Sequence, residues 1–140
     1  MLKPLHQGIS VPDMDEAIAW YSNVFGFEKI SDDVEPMLNS RVVFLHLDGF
    51  ELELFQYLGT DAKPMPEERK MPNDDLKTCG TKHVAYAVDD LEALYRSLVE
   101  KQVDVAVPPF PMHRDLVCFI RDNSGVLIEL IERNALENAQ

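Results

Sequence analysis

The sequence predicts an α+β protein assembled from two copies of a β-α-β-β-β unit. Two segments with the alternation of a half-buried strand each open on a histidine. Each is followed, at one shared offset, by an aspartate and an amphipathic helical pattern. Each half then closes with a hairpin whose last arm carries a glutamate.

The opening strands are His6-Gln-Gly-Ile-Ser-Val11 and His83-Val-Ala-Tyr-Ala-Val88. Alternating side chains on a strand face opposite sides, so such a segment has one buried and one open face. Two residues beyond each valine stands Asp13 or Asp90, a favoured helix N-cap, and Glu16 completes a capping-box spacing after Asp13. The helices follow from apolar residues at helical spacing: Met14, Ala17, Ile18 and Tyr21, then Leu91, Leu94, Tyr95 and Leu98. A constant shift of 77 residues relates the two histidines, the two caps and the two apolar faces. Gly26 is placed to end the first helix in a left-handed conformation.

In the first half a strand is expected near 27–31, then a hairpin with arms 41–47 and 50–56. Asp48-Gly49 is a favoured two-residue turn for it. The second half reads as a short strand near 103–107 and a hairpin of 116–121 with 126–131, turning at Asp122-Asn-Ser-Gly125. Residues 57–81, with Pro64, Pro66, Pro72 and mixed charge, read as a connector without periodicity. The reading is therefore one domain over 1–140, with modules at roughly 1–56 and 82–132. The tail, 133–140, is expected to form a last helical turn or to fray.

Composition narrows the function classes. A 140-residue chain with 46% hydrophobic and 27% charged residues is ordinary for a globular protein. Its net charge of −12 opposes binding to phosphate backbones or anionic lipid, so neither nucleic acid nor membrane is an expected partner. No apolar run approaches the ~20 residues of a membrane span, and the first residues lack a signal-peptide stretch. The cytoplasm is the expected location. Cys79 and Cys118 form no CxxC pair; Cys118, within Leu116-Val-Cys-Phe-Ile120, reads as a core residue.

The hairpin register sorts the side chains. A two-residue turn at Asp48-Gly49 pairs Phe44 with Glu53 and leaves Val42, Phe44, His46, Glu51, Glu53 and Phe55 on one face. Val43, Leu45, Leu47, Leu52 and Leu54 form the opposite face, to be covered by helices. Glu129 follows Gly125 by the four residues that separate Glu53 from Gly49. Each half thus offers one histidine from its first strand and one glutamate from its last. If the halves associate by approximate two-fold symmetry, His6, Glu53, His83 and Glu129 converge as metal ligands. Two imidazoles and two carboxylates suit one divalent ion: Ni, Zn, Mn, Co or Fe(II). An octahedral ion would keep two positions for water or substrate. Gly8 and Ser10 share the face of His6, and Ala85 and Ala87 that of His83, which leaves room at the site.

Such an ion would acidify the C–H beside a bound carbonyl, and a carboxylate would move the proton through an enediolate. Glu129 is read as the base and Glu53 as its partner, with roles that can alternate. Phe44, Phe55 and Phe119 are candidate apolar walls of the substrate pocket, His46 a rim residue, and His113-Arg114 an exposed loop pair.

With these residues in view the chain resembles the vicinal oxygen chelate superfamily, which includes glyoxalase I, methylmalonyl-CoA epimerase, extradiol dioxygenases and antibiotic-resistance proteins. The likeness runs from His6 to Glu132. It is carried by His6-Gln-Gly-Ile-Ser-Val-Pro-Asp13 with Ala19-Trp-Tyr-Ser-Asn-Val-Phe-Gly-Phe27, by His83 to Asp90, and by Asp122-Asn-Ser-Gly-Val-Leu-Ile-Glu-Leu-Ile-Glu132. The resemblance implies two βαβββ modules forming an open, barrel-like sheet, a homodimer, and a small-molecule substrate. Glutamates at both Glu53 and Glu129 look like bacterial glyoxalase I, whereas the epimerase typically carries glutamine at the position of Glu53. Ser10 stands where glyoxalase I usually has an arginine for the glutathione carboxylate. The implied activity is a metal-dependent lyase or isomerase of a 2-oxo or hydroxycarbonyl compound, with a thiol conjugate as one form of that substrate. An Fe(II) extradiol-type dioxygenase and a non-catalytic binding or resistance protein are the alternatives on the same scaffold.

Overall fold

The computed structural model describes residues 1–137, so the last part of the 133–140 tail lies outside the described residues. The chain divides into two compact units, Met1–Pro64 and Met65–Gln140.

The first unit runs β1 (His6–Ser10), α1 (Met14–Phe25), β2 (Glu28–Glu35), β3 (Ser40–Leu47) and β4 (Phe50–Tyr57). Its four strands lie in the order β1-β4-β3-β2, with β1 parallel to β4 and the other pairs antiparallel. Asp13 Oδ1 accepts the Glu16 N–H at 3.0 Å, and Gly26 ends α1 at φ 80°, where its N–H reaches the Ser22 carbonyl. Both ends of the helix therefore follow the local chemistry foreseen for them. Asp48 and Gly49 both have positive φ, the geometry of a two-residue turn that matches strand twist. That turn sets the expected register, Leu47 opposite Phe50 and Phe44 opposite Glu53. Val43, Leu45, Leu52 and Leu54 are buried together with Met14, Ala17 and Tyr21 of α1. Full burial of such side chains is worth about 1.5–3 kcal/mol each.

The second unit begins with a folded segment and then repeats the pattern. A 3-10 turn (Glu67–Arg69) and a one-turn helix, α2 (Pro72–Asp75), precede β5 (Val84–Ala87), α3 (Leu91–Glu100), β6 (Asp104–Met112), β7 (Asp115–Arg121) and β8 (Leu127–Glu132). The strand order is β5-β8-β7-β6, the counterpart of the first sheet, with β5 parallel to β8. Asp90 caps α3 by accepting the Ala93 N–H at 2.9 Å. Ile120, Ile128 and Leu130 pack beneath α3 with Leu91 and Leu98, and Cys118 is in the same core. The expected βαβββ modules are thus present as one four-stranded sheet per unit.

Two segments depart from the sequence reading. β6 extends to Met112 through Pro108, Pro109 and Pro111, well beyond 103–107. It is an edge strand, and its register shifts twice opposite β7, which is where a strand tolerates residues without an N–H. Residues 65–81, read as part of a connector, fold onto the second unit. Asp75 is 1% exposed and accepts from Arg69 Nε at 2.8 Å and Lys82 Nζ at 3.1 Å. Arg121 Nε donates to the Lys70 carbonyl at 2.8 Å and ties the same segment to β7. Residues 133–137 form turns rather than a helix.

Candidate metal-binding and active site

In the first unit His6 Nε2 lies 2.9 Å from Glu53 Oε2. In the second, His83 Nε2 lies 2.8 Å from Glu129 Oε2. The backbone explains the match. Gly8 is the register partner of Glu53 and Ala85 that of Glu129, so each histidine stands two residues before the position opposite its glutamate. The side chains are neither sealed nor fully solvated: His6 and Glu53 are 30% and 20% exposed, His83 and Glu129 26% and 14%. They are thus open to an incoming ligand yet partly shielded from water.

The spacing fits chelation. Two donor atoms each about 2.1 Å from an ion, at a right angle to each other, lie about 3.0 Å apart. Each Nε2–Oε2 pair is within a few tenths of that distance and combines an imidazole with a carboxylate, a donor set suited to a borderline divalent ion. Among the described residues no group of three or more His, Cys, Asp or Glu side chains is gathered about one point. The structure therefore brings His6 to Glu53 and His83 to Glu129, pair by pair.

The surroundings place the other expected residues. Phe44 is the cross-strand partner of Glu53 and meets the His6 ring edge to face, with centroids 5.5 Å apart at 81°. Phe119 partners Glu129 and meets His83 in the same way, at 5.2 Å and 82°. Phe55 faces Ser10 across β4 and β1, and a Cβ at Gly8 would come within 3.3 Å of its Cε2. Glycine is what lets that ring lean over β1. Ser10 is exposed. His46 is at the rim, its Nε2 accepting the Gly49 N–H of the turn at 3.1 Å. Arg114 pairs with Glu137 at 2.9 Å beside the turn that joins β6 to β7.

Around the pairs the units differ. A cleft of about 290 Å³ next to Glu53 is lined by Ser31, Asp33, Glu35, Leu38, Val42 and Phe44. In the second unit Phe110 of β6 stacks on Phe119, 6.3 Å apart and 17° from parallel.

Sequence reasoning missed two residues that hold the helices in place. Gln56 Oε1 accepts the Met14 N–H at 2.9 Å, and Glu132 Oε2 accepts the Leu91 N–H at 2.8 Å. Each lies three residues past the site glutamate, on the helix side of the last strand, and ties a helix N-terminus to the strand that carries that glutamate. The available signal was a polar residue on an otherwise apolar face.

The sequence model of the Glyoxalase/Bleomycin resistance protein/Dioxygenase superfamily matches residues 3–130, and the chain belongs to that superfamily. Within it, the mitochondrial methylmalonyl-CoA epimerase of Bos taurus is 31% identical over 129 residues, covering 89% of this chain and 71% of the epimerase. The ethylmalonyl-CoA/methylmalonyl-CoA epimerase of Cereibacter sphaeroides is 31% identical over 130 residues, covering 89% and 93%. Among solved structures, a glyoxalase family protein from Enterococcus faecalis shares the fold at a TM-score of 0.75, with 23% identity over 93% of this chain and 97% of that one.

Proposed function

We propose that this chain is a metal-dependent isomerase or lyase that moves a proton at the carbon next to a substrate carbonyl. The proposed ligands of one divalent cation (Ni, Zn, Mn, Co or Fe) are His6, Glu53, His83 and Glu129. The supporting observation is the repetition of one imidazole–carboxylate pair, at 2.9 and 2.8 Å, in the same strand register of both units.

When bound, the cation supplies Lewis-acid polarisation of the carbonyl, which lowers the pKa of the adjacent C–H. Glu129 takes the proton from that carbon, and Glu53 returns one to the opposite face or to the neighbouring carbon. His6 and His83 hold their carboxylates in register. Phe44, Phe55 and Phe119 restrict water near the reacting carbon, and Ser10 borders it. The substrate is a small 2-oxo or hydroxycarbonyl compound or a thioester. The epimerases at 31% identity favour epimerisation of a malonyl-type thioester as the first reaction to assay. A cytoplasmic homodimer is the proposed working form.

The test is metal content and affinity of the purified protein, measured with Glu53→Gln and Glu129→Gln alongside. About one ion per chain, held more weakly in both variants, supports the site. Acyl-CoA epimers, hemithioacetals and catechols are then screened with the preferred metal. No ion retained from any of the five metals would overturn the reading, and oxygen uptake with catechols would replace it with a dioxygenase.

A further inference from the structure

We infer that Phe44 and Phe119 are positioning residues that fix the direction of the His6 and His83 imidazoles. The inference rests on the metal reading above, and it assigns a role to two rings that the sequence suggests only as pocket wall. In each unit the glutamate is on the inner strand, β4 or β8. The histidine comes from, or immediately precedes, the parallel neighbour on one side, and the phenylalanine stands on the antiparallel neighbour on the other. The imidazole leans diagonally over the inner strand until its Nε2 meets the carboxylate and its ring meets the phenylalanine edge to face.

One hydrogen bond does not orient an imidazole, because the ring still turns about the Nε2–Oε2 line and the His χ2 torsion is broad. A second contact at nearly a right angle removes that freedom. Edge-to-face aromatic contacts correspond to about a 2- to 10-fold preference for the arrangement that makes them. Packing alone does not account for Phe44: it is only partly buried, lines a cleft, and lies on the sheet face opposite the helix-covered core. The same ring, at the same strand position relative to the glutamate and with nearly the same angle, recurs in the second unit, whose outer strand differs. Ser31 opposes Phe44, whereas Phe110 stacks on Phe119.

The experiment compares Phe44→Leu and Phe119→Leu with Phe44→Tyr and Phe119→Tyr. Zinc affinity is read by chelator competition, and the His6 and His83 ring-proton shifts by NMR on metal-free protein. Leucine is expected to weaken zinc binding about 10-fold, the usual scale for a residue that orients a ligand. It should also remove the ring-current shift from the histidine in its own unit only. Tyrosine should restore affinity to within about 2-fold of the original. Unchanged affinity in the leucine variants, or an equal loss with tyrosine, overturns the inference. If the unaltered protein takes up none of Ni, Zn, Mn, Co and Fe, the metal reading fails separately. The ring-proton shifts then decide whether the phenylalanines orient the imidazoles, and shifts that do not respond to leucine overturn that as well.

Discussion

In the first unit Glu53 opens onto a cleft bordered by Ser31, Asp33 and Glu35, whereas in the second Glu129 stands beside Phe119, itself stacked on Phe110. The histidine, the glutamate and the ring beneath the histidine are the same in both. Strand register fixes those three positions, because a slip of one residue would turn every side chain to the other face. The outer strands carry no such constraint. What is duplicated is the histidine–glutamate–phenylalanine arrangement, while the surface beside it is built differently in each unit.

The strongest test of that division is Glu129→Gln against Glu53→Gln. Each should weaken metal binding, and Glu129→Gln should also lower turnover at saturating metal by about 100-fold or more, the scale of a lost general base. Equal, metal-reversible losses in both would mean that the carboxylates serve only as ligands.

The units also differ in how they bury charge. Asp75 of the second unit is enclosed; burial pushes its pKa up, but Arg69 and Lys82 outweigh that and hold it below the ordinary carboxylate value. Asp32 of the first unit is gripped by Arg41 at 2.8 Å through both oxygens, with Lys29 adding to the pull. Its pKa is held far below the usual range against a smaller opposing effect of burial. Removing the enclosed carboxylate, Asp75→Ala, should cost about 3 kcal/mol in urea unfolding by stranding two cations. Asp32→Ala, at a partly solvated pair, should cost within about 1 kcal/mol. Both folded pKa values are depressed, so their stabilisation is complete above about pH 4 and is lost as pH falls through the folded values. Acid titration of stability should therefore be shallower in Asp75→Ala than in the unaltered chain.

A smaller effect is expected at the strand position opposite each glutamate. Gly8→Ala crowds Phe55 and should destabilise by about 1 kcal/mol, whereas the second unit already carries a Cβ there in Ala85. The least perturbing probe is thiol labelling. Cys79 is exposed, and Cys118 is buried with its pKa pushed up to about 11, so one thiol should react quickly with a disulfide reagent and the second only on unfolding.

Much of the fold, and the strand faces that carry the site residues, were legible because they depend on local rules. Alternation set the faces, Asp13 and Asp90 marked the helix starts, and the Asp48-Gly49 turn left one register for Glu53. The length of β6 was hidden because prolines normally argue against a strand, and only its edge position makes them tolerable. The order of 65–81 was hidden because it comes from one buried carboxylate with two cations, which leaves no periodic trace. Gln56 and Glu132 act over 42 and 41 residues of chain, and nothing local announces such a contact.

One cation is proposed to draw an imidazole from each unit. X-ray absorption at the zinc edge, on zinc-loaded protein, tests it most directly. Two imidazoles per ion are expected, falling to one in His6→Ala and to one in His83→Ala. Two imidazoles retained in either variant, or none in the unaltered protein, would contradict it.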